Sequence, residues 1–243
     1  MVKPLAALLF CLSITANFAA RADYAKGCED PDYAQYMKQR YAHFEALNRR
    51  LFNETLQDYE RSLATSTNPY QVIGDLSRHL RYSAQFEPVE VVNAKIDRIF
   101  EHAEALSLEQ QIAGEVVDRF SSESHSVGIA RAWIAYRQEN YELAFTELLQ
   151  SLEISDSAVL STFGPDLELI RRMYRDGHVA PVVAYINKTE EFWKGRRPDS
   201  LRYVWEVMIE AQCAIQFDFV DTIKALELGL RVMDVNRDYG LSR

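Results

Sequence analysis

Glycine and proline fill only sixteen of the 243 positions, nine and seven respectively, and no other feature constrains the fold as much. A many-stranded sandwich or barrel needs turn formers at short, regular intervals, whereas long helices joined by short connections do not. At 48% hydrophobic and 26% charged residues, the chain can bury a core and shows no low-complexity or collagen-like bias. The expectation is an all-α protein.

Helix starts are legible along the first half. In Asp30-Pro31-Asp32, Asp30 has the chemistry of an N-cap, and Pro31 stands at the first helical position, where its missing N–H costs nothing. From Tyr33 through Met37, Phe44, Leu51 and Tyr59 to Leu63, apolar residues recur every three or four positions, which predicts one long helix to about Ser62. Asn68-Pro69 repeats the same start signal. Pro88 opens a third helix to about Leu106, and Ser107-Leu108-Glu109-Gln110 has the capping-box form expected of a fourth, to about Phe120. Ser121 to Ser126 is the most polar and least periodic stretch, and reads as a hinge or seam. This divides the chain into N-terminal helical hairpins over 23–121 and a second helical region over 127–243.

The N-terminus has a cationic Met1-Val2-Lys3, an apolar run from Pro4 to Ala20, and then Ala20-Arg21-Ala22. That is the layout of a signal peptide over 1–22, with Asp23 as the mature start and a periplasmic or secreted location. An uncleaved anchor is the alternative, although the run is short for a bilayer span. Cys11 follows Phe10, where lipid attachment needs a small residue. Loss of Lys3 and Arg21 leaves 25 basic against 36 acidic residues, a net charge of −11. A chain this acidic, with scattered Arg doublets, does not suit nucleic acid. No second apolar segment approaches membrane-spanning length, so stable insertion is not expected after cleavage. Cys28 and Cys213 are the cysteines left, and an exported compartment permits a disulfide between them. Cys213 also fits as a small buried thiol. In an open solenoid the two lie near opposite ends, so a bridge requires the N-terminal tail to fold back or the array to curve closed.

Beyond residue 127 the helices shorten and pair across tight turns at Glu139-Asn140, Asp176-Gly177 and Phe217-Asp218, about 37 and then 41 residues apart. Such periods mark helix-turn-helix repeats that stack into solenoids. The segment Glu139-Asn140-Tyr141-Glu142-Leu143-Ala144 resembles the second helix of a tetratricopeptide repeat, whose pattern is Gly-Asp-Tyr-x-x-Ala. The likeness extends over residues 127–232 and is clear in one repeat. Trp133 stands one turn away from the family's Trp, and Pro181 replaces the packing Ala. The resemblance implies antiparallel hairpins stacked as a short α-solenoid, behind a longer N-terminal hairpin. A generic array of helical hairpins fits the same residues.

Motifs for chemistry are missing. The five histidines lie tens of residues apart with no second His at i+4, and no Glu-x-x-His pair occurs, so neither a metal site nor any other cofactor is expected. Nucleophile elbows, Ser-x-x-Lys and phosphate-binding glycine loops are also absent. Asp75 and His79 share a face at i,i+4 and read as a surface ion pair. Arg131, Trp133, Tyr136 and Arg137 on one first helix, with Arg171, Tyr174 and Arg175 on the next, place guanidinium groups and rings where stacked hairpins form a groove. That chemistry suits a peptide and its carboxylates, and core packing of the rings with solvated arginines is the plainer alternative. The expectation is therefore a non-catalytic scaffold or adaptor for a protein or peptide partner. Alternatives are a small-molecule or enzymatic site assembled only in three dimensions, and a homo-oligomer built on the long helix as a coiled-coil seam.

Overall fold

The computed structural model describes residues 27–115, 120–153 and 157–232; the expected signal peptide, its cleavage point and the last eleven residues lie outside them. All regular structure among the described residues is helical. The first half comprises α1 (Pro31–Thr65), α2 (Pro69–Phe86) and α3 (Val89–Ala113), and the second α4 (Ser121–Arg137), α5 (Tyr141–Gln150), α6 (Ala158–Phe163), α7 (Glu168–Arg175), α8 (Val179–Lys188), α9 (Arg196–Glu210) and α10 (Val220–Glu227).

The starts follow local chemistry. Asp30 Oδ1 accepts the Asp32 N–H at 3.0 Å, and Asn68 Oδ1 accepts that of Tyr70 at 3.0 Å. At 35 residues α1 is about 50 Å long. Its apolar stripe is used within the chain, with Tyr33, Met37 and Tyr59 buried. The third and fourth expected helices are one. α3 passes uninterrupted through Ser107, because nothing there breaks the backbone, and stops at Gly114, which takes the left-handed conformation (φ 73°). The Glu115 N–H then reaches the Gln110 carbonyl at 2.9 Å, so the chain breaks where glycine permits.

Ser121 to Ser126 forms the start of α4, with His125 and Ser126 buried. Nearly every residue of α4 from His125 to Tyr136 is buried, as befits a helix packed between α2 and α5. Its approach to α5 depends on Gly128: a Cβ there would lie 2.6 Å from Ser151 Cβ and 2.9 Å from Ser151 Cα.

Three hairpins follow, α4/α5, α7/α8 and α9/α10, and their first helices end alike. The Asn140 N–H reaches the Ala135 carbonyl (2.9 Å), that of His178 the Met173 carbonyl (2.9 Å), and that of Cys213 the Met208 carbonyl (2.8 Å). Each bond spans a left-handed residue, Glu139 (φ 60°), Gly177 (φ 91°) and Gln212 (φ 57°), the geometry of a Schellman close. The corners are 38 and then 35 residues apart, from 139 to 177 and from 177 to 212. The third corner is thus at Gln212-Cys213, and Phe217-Asp218 lies inside the α9–α10 connection. Gln212 carries no glycine signal, which is why sequence misplaces it.

Tyrosines at matching positions link successive corners. Tyr136 donates to Asp176 Oδ2 and Tyr174 to the Cys213 carbonyl, each at 2.8 Å. The start of α1 meets the third corner. Tyr33 donates to the Ala214 carbonyl, Tyr41 to that of Ile215 (3.0 Å), and Arg40 Nε to Gln216 Oε1 (2.7 Å). Cys28 and Cys213 are joined as a disulfide with their Cα atoms 4.8 Å apart. The start of the first helix is therefore fastened to the third corner.

Candidate functional site

A cleft of about 330 Å³ opens where α1, the C-terminal end of α2, α4 and α7 converge. Phe44, Phe86 and Trp133 form its apolar walls, and Arg49, Arg171, Arg172 and Arg175 bring four guanidinium groups against the two carboxylates of Glu45 and Glu168. Arg171 is only 7% exposed. Its Nε donates to the Gln216 carbonyl and its Nη1 to Glu168, while its plane lies 3.9 Å from the Phe44 ring centre. Asn48 Nδ2 bridges Gln85 (3.2 Å) and Glu168 (2.9 Å). Arg175 pairs with Glu45 at 3.0 Å and covers the Tyr41 ring, and Arg49 covers Phe86 at 4.9 Å.

The seven residues read from sequence as one face fall into distinct settings. Trp133, Arg171 and Arg175 line the cleft. Tyr174 stands beside it, tied to the third corner; burial, with Tyr41 nearby, pushes its phenol up to about 12. Tyr136 is bonded to Asp176 at the second corner. Burial opposes ionisation of Asp176, but bonds from Arg172 and Tyr136 outweigh it and hold this carboxyl below its usual range. Arg137 leaves the face altogether: its Nη1 donates to the Ala84 (2.9 Å) and Glu87 (2.7 Å) carbonyls at the end of α2. Arg131 is exposed and lies 5.8 Å from the Phe100 ring centre on α3. Arg171 and Arg175 thus meet Phe44, Tyr41 and the Glu45 carboxylate of α1, a segment that no motif in the sequence places at the site. The Cys28 and Cys213 pair is the sequence trace of it, since a bridge between them requires the N-terminal segment to fold back onto the later helices.

A second polar cluster lies between α1, α2 and α3. His79 is fully buried. Its Nε2 accepts from Lys95 Nζ at 2.8 Å, so its Nδ1 carries the proton toward Thr55 Oγ1 at 3.1 Å. Lys95 pairs in turn with Glu87, which also accepts from Ser83. Burial first and the Lys95 charge second push the His79 imidazole down to about 4. The expected surface pair with Asp75 does not form; Asp75 takes Arg78 at 3.2 Å. Asp221 is the hub of the third corner. It accepts the Trp205 indole N–H and the Gln216 and Asp218 backbone N–H groups, all at 3.0 Å, yet burial raises its carboxyl to about 6.

Among the described residues no group of three His, Cys, Asp or Glu side chains is arranged to hold a metal ion, and no helix is long and apolar enough to cross a membrane. No protein-family model, curated protein or solved structure matches the chain.

Proposed function

We propose that the protein is an exported, non-catalytic scaffold of tetratricopeptide-like architecture, periplasmic or secreted, that holds a protein or peptide partner. The spacing of the corners, 38 and then 35 residues, carries this reading, together with the bonds from Tyr136 and Tyr174, each three residues before its corner, to the corner that follows. Units that bury one face by stacking on neighbours leave extended surfaces suited to polypeptides. The signal-peptide layout supports export. The partner side in this reading is the cleft mouth, where Arg172 and Arg175 face outward beside apolar walls. Arg172 keeps 47% of its side chain exposed although it pairs with Asp176, so its outer N–H groups are free to meet carboxylates of a partner.

Affinity capture from envelope and culture-supernatant extracts at moderate salt tests this, with an Arg172→Glu/Arg175→Glu variant alongside. Arg137 is left unchanged, because it holds the end of α2. The expected result is a polypeptide retained by the parent and lost by the variant, with the same far-UV circular dichroism. Recovery of the protein alone, or retention unaffected by the charge reversal, contradicts the scaffold.

A further inference from the structure

We infer that the cleft between α1, α4 and α7 is a binding site for a compact organic oxyanion carried on an apolar or aromatic body. Because α1 lies against α7 there, what remains open between them is a half-open cleft of small-molecule size. Its ~330 Å³ is at the low end of the range of small-molecule sites, roughly 300–1,000 Å³. The charge inside is unbalanced. Glu168 is engaged by Arg171 and Asn48, and Glu45 by Arg175, whereas Arg49 has only the Phe86 ring and no carboxylate within 4 Å among the described residues. A pocket with more guanidinium groups than carboxylates, in a chain of net charge −9, attracts anions locally.

Arg171 is the anchor. A side chain this buried ordinarily spends every N–H on protein partners. Here Nε and Nη1 are spent, but Nη2 has no hydrogen-bond partner among the described residues and is not closed off from solvent. Arg171 lines the cleft, and Nη2 is the guanidinium nitrogen left for a ligand there. Guanidinium donors bind carboxylate and phosphate oxygens through directed, charge-assisted bonds, and Phe44, Phe86 and Trp133 provide the apolar walls for the body of such a ligand. This site needs no partner protein, so it stands or falls apart from the scaffold reading.

Calorimetric titration of the purified protein with phenylacetate, phenyl phosphate and phenylacetamide tests it, together with the Arg49→Gln and Arg171→Lys variants. The expected result is saturable binding of at least one anion, roughly tenfold or more tighter than the neutral amide. Whichever anion binds tighter identifies the carboxylate or the phosphate as the natural group. Arg49→Gln weakens that anion about five- to tenfold. Arg171→Lys, which keeps the charge and loses the fork, weakens it comparably while thermal unfolding shows the fold retained. Anions bound no tighter than the amide, or an unchanged affinity in Arg49→Gln, overturn the site.

Discussion

Two buried titratable groups give stability opposite dependences on pH. His79 ionises near 4 in the fold against about 6.5 when exposed, so the unfolded chain binds the extra proton and stability is lost as pH falls from 6.5 toward 4. Asp221 ionises near 6 against 3.8, so the folded chain holds the proton, and its contribution is present below about 3.8 and lost as pH rises toward 6. Each is worth on the order of 3 kcal/mol across its window. Asp221→Asn places an amide against three N–H donors and lowers stability throughout. It also removes the opposing slope, so between pH 6 and 4 this variant loses stability more steeply than the parent, by up to about 1.4 kcal/mol per pH unit. Urea unfolding at half-unit steps checks this, and parallel profiles contradict it. Neither group's role is legible in sequence. The spacing of Asp75 and His79 states that they share a helix face, but not that Thr55 and Lys95 cover that face.

At the scale of the element, α4 depends on close approach to α5. Gly128→Ala drives a methyl into the Ser151 backbone and Cβ, and is expected to cost about 1–3 kcal/mol. Chemical denaturation measures it, and an unchanged midpoint contradicts the packing. The starts of α1, α2 and α3 were readable because Asp30-Pro31, Asn68-Pro69 and Pro88 act through local bonds and fixed φ. The continuation of α3 through Ser107 was not, because a Ser with Gln three residues on begins a helix only where the preceding chain has left helical geometry. The third corner escaped for a related reason: Gln212 adopts a left-handed conformation that tertiary packing imposes on a residue with no intrinsic preference for it.

The whole molecule is organised by the return of α1. Helical hairpins were predictable from periodicity, but the pairing of residues 33–45 with residues 171–216 has no local signature, and the arginines expected to meet a partner also meet Glu45, Tyr41 and Phe44 of the same chain. The disulfide joins residues 185 positions apart. It limits the freedom of the unfolded chain and holds the start of α1 on the third corner. Cys28→Ser is expected to lower unfolding free energy by about 2–4 kcal/mol with helicity retained, as read by denaturant titration; equal stability contradicts it. The docking of α1 on the third corner is most directly tested by hydrogen exchange along α1 in the disulfide-bonded and the reduced protein. Core-like protection is expected over residues 33–45 in the bonded form, falling on reduction while α4 stays protected. Fast exchange of that segment in both forms would contradict it.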